Sequence, residues 1–197
     1  MLLPPIKTIR GPPTENALFS IIIPTWNNLE YLQLCLESIK RNSRFSHEII
    51  LHINEGSDGT LAWVETQSYS YTSSPYNIGV CYALNIARTL ATTKYMVFVN
   101  DDHYLCPDWD AYLNDELEQM TTDYFYLSMT VIEPRGENPN ILIRNFGETA
   151  TTFDQNRCDK ECQQVAKPDW TGATSIPSLV PFILWDLVGG YSIEFSP

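Results

Sequence analysis

Tyr95-Met96-Val97-Phe98-Val99-Asn100-Asp101-Asp102-His103 runs from an apolar, β-branched and aromatic segment straight into a polar cluster with two adjacent carboxylates. A run of this kind, without alternation, suits a strand buried on both faces, although length alone leaves a buried helix open. The acids then fall at the strand's carboxyl end, the edge at which open α/β sheets bind ligands. Hard divalent cations take carboxylate oxygens and are commonly shared with substrate phosphates. The competing reading makes Asp101 and Asp102 solvated turn residues that cap the next helix.

Upstream, Leu18–Pro24 reads as a second buried strand, ended by a proline that cannot donate to a ladder. Thr25–Asn28 follows as a polar loop with helix-capping side chains. Leu29, Leu32, Leu36 and Ile39 then recur at helical spacing and predict an amphipathic helix ending near Arg41-Asn42. Glu48–Ile53 is a further strand, broken by Asn54–Thr60, in which Gly56 and Gly59 suit a tight loop beside a ligand. A short helix over 61–67, a weak strand over 69–73 and a helix over 81–91 lead into Tyr95, and another helix covers 108–120. Strands alternating with helices imply βαβ crossovers and a mostly parallel sheet.

After Met120 the pattern loosens. Residues 124–132 and 141–146 predict two strands joined by a turn rich in Pro and Gly, as a hairpin or antiparallel edge pair. Residues 149–168 are polar and ambiguous, and Pro181–Val188 predicts a short helix stopped by Gly189-Gly190.

The chain of 197 residues, 44% hydrophobic and 18% charged, has globular composition. A net charge of −12 argues against a general nucleic-acid or anionic-membrane binder, both of which need a basic face. It also means that a phosphorylated substrate would need a cation to screen it from the protein. No apolar run approaches the roughly 20 residues of a membrane span. Residues 1–16, with Pro4, Pro5, Pro12 and Pro13, read as an irregular lead-in without a signal peptide's apolar core. Five cysteines fit reduced thiols in the cytosol better than a disulfide framework. Cys158 and Cys162 are spaced to pair or share a metal, but no second Cys/His pair stands at zinc-ligand spacing.

Three polar loops, Thr25–Asn28, Asn54–Asp58 and Asn100–His103, would therefore line one crevice. Neither a dinucleotide fingerprint nor a Gly-Lys-Ser/Thr phosphate loop is present. The set resembles the family 2 glycosyltransferases of GT-A fold. The likeness begins in Ser20–Asn27 and Leu36–Ile39 and continues through Asn54–Thr60, where the family has an Asp-Asp-Gly-Ser-type loop. It runs on through Asn77–Gly79, Ala83–Asn85, Asn100–Asp102 at the Asp-x-Asp position, and the late Gly189-Gly190-Tyr191. Each motif alone is weak, and their order and spacing carry the resemblance across roughly residues 17–195.

The resemblance implies a Rossmann-like, mostly parallel sheet flanked by helices with a smaller antiparallel acceptor-side part. Residues 17–120 would form the nucleotide-sugar-binding βαβ region and 121–197 the acceptor-side region of the same domain. It implies a metal-dependent, inverting glycosyltransferase that moves a sugar from a nucleotide-diphosphate donor, by preference a UDP-sugar, to a hydroxyl of a glycan or lipid-linked acceptor. Pro24, Thr25 and Asn27 would line the nucleotide pocket, with Asn54 facing the base and Glu55 close by. Asn77, Gly79 and Asn85 would shape the wall beside base and diphosphate, and Asn100 and Asp101 would hold the ribose–diphosphate region. Asp102 would bind Mn2+ or Mg2+, and His103 is either a coordinating neighbour or a plain loop residue. Trp170 and Gly172 fall loosely at the acceptor side. Such enzymes act in the cytoplasm, at the inner face of the membrane where the acceptor is membrane-bound.

The departures are Asn54, which replaces an acid commonly set against the base, and Asn100, which replaces the first acid of Asp-x-Asp. The family's general base would be expected beyond Pro197, since Glu194 stands too early and Asp186 belongs on a helix face. That gap leaves a non-catalytic nucleotide-sugar or glycan-binding module as the alternative function.

Overall fold

The computed structural model describes residues 4–136, 141–164 and 176–195. In chain order the strands are β1 (Lys7–Ile9), β2 (Ser20–Trp26), β3 (Glu48–Asn54), β4 (Ser70–Ser74), β5 (Tyr95–Phe98), β6 (Leu127–Ser128), β7 (Val131–Glu133), β8 (Ile141–Ile143) and β9 (Ser178–Pro181). The helices are α1 (Leu29–Asn42), α2 (Thr60–Val64), α3 (Val80–Ala87), α4 (Trp109–Gln119), α5 (Gln155–Glu161) and α6 (Phe182–Val188). Seven strands form one sheet in the order β1-β4-β3-β2-β5-β9-β6, with β4, β3, β2 and β5 parallel.

The isoleucine run of β2 shows why this segment is a central strand. Ile21 and Ile23 enter a core shared with Leu32, Leu36 and Ile39 of α1 and Trp109 and Leu113 of α4. Ile22 faces the other way, into Leu84 and Ala87 of α3 and Phe182 and Trp185 of α6. All three are fully buried, and each such side chain contributes roughly 1.5–3 kcal/mol of transfer free energy. β-Branched residues suit a pleat packed on both faces, so the absence of alternation follows from helices on both sides.

Four features differ from the sequence expectation. Lys7–Ile9, inside the lead-in read as irregular, pairs antiparallel with Tyr71–Ser73 as an edge strand. Three residues between prolines suffice there, because an edge strand needs a partner on one side only. Ser178–Pro181, unassigned from sequence, is a sheet strand between β5 and β6, antiparallel to both. Its four residues are too short to show a period, and Pro181 closes it, so α6 starts at Phe182. The expected strand over 124–132 divides into β6 and β7. Finally, β7 and β8 pair in parallel, not as a hairpin. The connection between them holds Pro134 and Pro139 and is longer than the two-residue turns that favour antiparallel return.

Candidate active site

Strand order reverses between β2 and β5, because the chain steps outward through β3 and β4 and then returns to the far side of β2. Loops at the carboxyl ends of two such strands leave in opposite directions and open a crevice. Thr25, at the end of β2, and Asp101, in the turn after β5, meet there. The Thr25 hydroxyl donates to Asp101 Oδ2 at 2.6 Å. Burial pushes the Asp101 carboxyl above its ordinary range, and the hydroxyl of Thr25 and the side chain of Asn28 pull against that shift.

Asp102 is placed differently. Its side chain is 60% exposed, and among the described residues its one ion-pair contact is with its neighbour His103. A proton on the neighbouring His103 ring holds its carboxyl below the usual value, against a partial desolvation. His103 is 21% exposed, and its Nε2 lies 3.2 Å from the Ile176 carbonyl oxygen. A carbonyl only accepts, so the proton of the neutral ring sits on Nε2 and Nδ1 carries the lone pair. Nδ1 is shut from solvent without a hydrogen-bond partner. It stands 3.2 Å from Asp102 Oδ1.

The β3 loop is locked to the β2 loop. Asn27, with φ of +47°, accepts from the Ser57 amide at 2.8 Å, and Glu55, with φ of +63°, accepts from Trp26 Nε1 at 3.0 Å and the Ser57 hydroxyl at 3.0 Å. These donors hold the Glu55 carboxyl below its ordinary range. Asp58 accepts from the Leu29 amide at 3.0 Å and from both the amide and hydroxyl of Thr60. It thereby caps α1, whose own N-cap residue Asn28 makes no side-chain cap. Gly56, with φ of +71°, is pressed against Ile53 and Leu61, so a side chain has no room there.

Thr25, Asn27, Glu55, Asn100, Asp101 and Asp102 thus stand on one sheet edge, with Pro24 buried one residue inside β2. Two expected residues are committed elsewhere. Asn54 is 3% exposed, and its Oδ1 accepts from the Ile78 amide at 2.9 Å and the Ser74 hydroxyl at 3.3 Å. It holds the Asn77–Gly79 turn, where Asn77 Oδ1 accepts from the Gly79 amide at 2.8 Å. Asn85 grips the backbone of Tyr191 at two points, donating to its carbonyl at 2.8 Å and accepting from its amide at 3.1 Å. Asp186 lies on α6, paired with Arg88 at 2.6 Å, and Glu194 is exposed in the last turn. Trp170 and Gly172 lie outside the described residues.

Sequence reasoning passed over Trp26 and Asn28. Trp26 is 55% exposed at the crevice end of β2, a signal visible as an aromatic beyond a strand-ending proline. Cys106 packs against Cys158 and Cys162 in a small satellite core. All five cysteines are free thiols, and among the described residues no group of three or more Asp, Glu, His or Cys side chains is arranged to hold a metal.

A mostly parallel sheet with acids at its reversal point and an antiparallel strand inserted beyond β5 is the GT-A architecture of glycosyltransferases. Residues 20–173 match the family described as Glycosyl transferase family 2, and the chain belongs to that family. It is 26% identical over 120 residues to WcaA of Escherichia coli (strain K12), described as a colanic acid biosynthesis glycosyl transferase. That match covers 56% of this chain and 42% of WcaA, so the chain spans less than half the length of this relative. Among solved structures, the mannosyltransferase PcManGT from Pyrobaculum calidifontis, in complex with GDP-Man and Mn2+, superposes with a TM-score of 0.59 at 20% identity. That superposition covers 94% of this chain and 50% of PcManGT. Residues 1–349 of S. aureus TarS give 0.58 at 18% identity, over 91% of this chain and 52% of that 1–349 chain. Among the described residues no helix is long and apolar enough to cross a membrane.

Proposed function

We propose that this chain transfers a sugar, with inversion, from a nucleoside-diphosphate donor to a hydroxyl of a glycan or lipid-linked acceptor, using the crevice between β2 and β5. The observation that carries this reading is the contrast between two adjacent carboxylates at the reversal point. Asp101 is anchored by Thr25, whereas Asp102 is mostly exposed beside His103 and open to a ligand from the crevice.

The donor set fits a hard or borderline divalent cation. The exposed Asp102 carboxylate would hold it, and diphosphate oxygens and water would fill the other positions. Asp102 would hold such a cation, which would supply the Lewis-acid charge that offsets the diphosphate of the leaving group. The chain's own residues fix the geometry. Thr25 and Asn28 hold Asp101, and the Asn27–Ser57 and Trp26–Glu55 bonds close the β2 and β3 loops into one wall. The exposed Trp26 face supports stacking on a base. The amide-bearing start of α3 at Gly79 lies on the same edge and suits a phosphate.

The WcaA likeness and the net charge of −12 favour an acceptor in polysaccharide assembly over nucleic acid. A cytoplasmic location, at the inner membrane face for a lipid-linked acceptor, accords with nucleotide-sugar use. We favour a UDP-sugar donor, with GDP-mannose as the competitor that the PcManGT likeness supports.

Calorimetric titration of UDP and of GDP, each with and without Mn2+, tests the reading. Binding that requires the ion and falls at least tenfold in Asp102→Ala is expected. Equal binding with and without the ion would overturn the metal-dependent site.

A further inference from the structure

We propose that Glu55 is a positioning residue of the donor site: by accepting from Trp26 Nε1 it fixes the indole in one orientation, ready for the flat ring of a pyrimidine or purine base. The inference rests on the donor-site reading above and adds to it a residue that acts on the base through another side chain.

An exposed side chain at the end of a strand has rotamers to lose, and ordering it on binding weakens association. Trp26 is 55% exposed, yet it is tethered. Its one polar side-chain atom, Nε1, donates to Glu55 Oε2 at 3.0 Å. That bond turns the polar edge of the ring to the β3 loop and leaves apolar ring surface open at the end of β2.

Glu55 is itself held at both ends. Its amide donates to the Ser74 carbonyl of β4 at 3.0 Å, and its Oε1 accepts from the Ser57 hydroxyl at 3.0 Å. Ser57 is fixed in turn by its amide bond to Asn27 at 2.8 Å. The indole is the foremost donor holding the Glu55 carboxyl below its ordinary range, so the acceptor is an anion and the bond is charge-assisted.

The backbone shows that this placement is costly. Asn16, Asn27, Glu55 and Asp108 are the non-glycine residues with positive φ among those described. Asn and Asp visit that region readily, and Glu55, at +63°, is the exception. Such strain persists where neighbouring bonds over-determine it, and it clusters at ligand clamps.

Charge gives the proposal a distinctive sign. An anion beside the pocket repels a diphosphate, so neutralising Glu55 would by charge alone tighten binding. A positioning role predicts weaker binding when the acceptor is lost and no weakening when only the charge is lost.

The test is calorimetry of the whole chain with UDP, GDP and inorganic pyrophosphate, each in Mn2+. Glu55→Ala should weaken UDP and GDP alike by about three- to tenfold, the cost of ordering one freed side chain. Pyrophosphate has no base to stack and should keep its affinity. Glu55→Gln, which retains an acceptor for the indole, should bind both nucleotides at least as tightly as the native chain. In Trp26→Phe, whose ring lacks the N–H, Glu55→Ala should have no further effect. The Trp26 indole N–H resonance, assigned by its absence in Trp26→Phe, should move upfield in Glu55→Ala. A loss that persists in the Trp26→Phe background, or that pyrophosphate shares, would overturn the positioning role, as would undiminished nucleotide binding in Glu55→Ala. Failure of the native chain to bind either nucleotide would overturn the donor site itself.

Discussion

The Thr25 hydroxyl and the Asp101 carboxylate are joined at 2.6 Å across the point where strand order reverses. That bond ties the end of the first central strand to the turn after β5, so it fixes the width of the crevice. Thr25 is 2% exposed, and Asp101 already titrates above its ordinary range because of burial. Thr25→Val keeps the shape and removes the donor. We expect a loss of about 2 kcal/mol in urea unfolding at pH 7, since bonds to charged groups are worth roughly 1.5–3 kcal/mol. The Asp101 carboxyl should titrate higher still by NMR.

Asp102 should behave oppositely. Its side chain is mostly exposed and its backbone contact is to its own residue, so Asp102→Ala should change stability by less than about 0.5 kcal/mol. Nucleotide affinity in Mn2+ should nonetheless fall at least tenfold, read by calorimetry. Loss of stability comparable to that of Thr25→Val would mean that the carboxylate is structural and that the turn-and-cap reading is right.

The parallel half of this fold was legible because its signals are local. Apolar runs of four to seven residues, each followed by a polar loop and a helical period, specify βαβ units one after another. The second half was not, and β9 shows why. A four-residue strand has no measurable period, and what places Ser178–Pro181 in the sheet is its pairing with β5, some 80 positions earlier. The site divides in the same way. Motif spacing placed Thr25, Asp101 and Asp102 on one edge, but spacing does not reveal which side chains are already occupied. Asn54 and Asn85 carry the chemistry to meet a nucleotide, yet each is bonded to backbone that folds back from elsewhere, at Ile78 and at Tyr191. Such commitments are tertiary and leave no trace in a motif.

His52 gives the stability a defined pH dependence. It is fully buried in β3, bonded to Thr72 at 2.8 Å, and desolvation lowers its pKa from 6.5 to about 4. The unfolded chain therefore takes up a proton near pH 6.5 that the folded chain resists until about pH 4. Stability is full above pH 6.5 and declines through that window, by roughly 3 kcal/mol from this residue. His47, also lowered by burial, acts with the same sign, and Asp101, raised by burial, acts against both. Urea unfolding measured from pH 7 to 4.5 should show the decline, and His52→Gln should flatten it whatever its stability at pH 7. An unchanged slope in the variant would exclude His52 as its source.

Asn85 and Gly190 should be coupled. Gly190 has φ of +76°, and a methyl group there would run into the Asn85 carboxamide and approach Trp185 Nε1. The carboxamide cannot yield without dropping the two bonds it makes to the Tyr191 backbone. Gly190→Ala should therefore cost about 2 kcal/mol or more, part from the left-handed backbone and part from the collision. Asn85→Ala should cost about 2 kcal/mol, since it strands a backbone amide and a carbonyl in a half-buried turn. In the double variant the collision is gone while the backbone strain stays. The two losses should then fall short of additivity by about 1 kcal/mol, a coupling that chemical unfolding of the four proteins resolves. Strict additivity would mean that the Gly189–Tyr191 turn is held by its own backbone rather than by the helix α3 side chain beneath it.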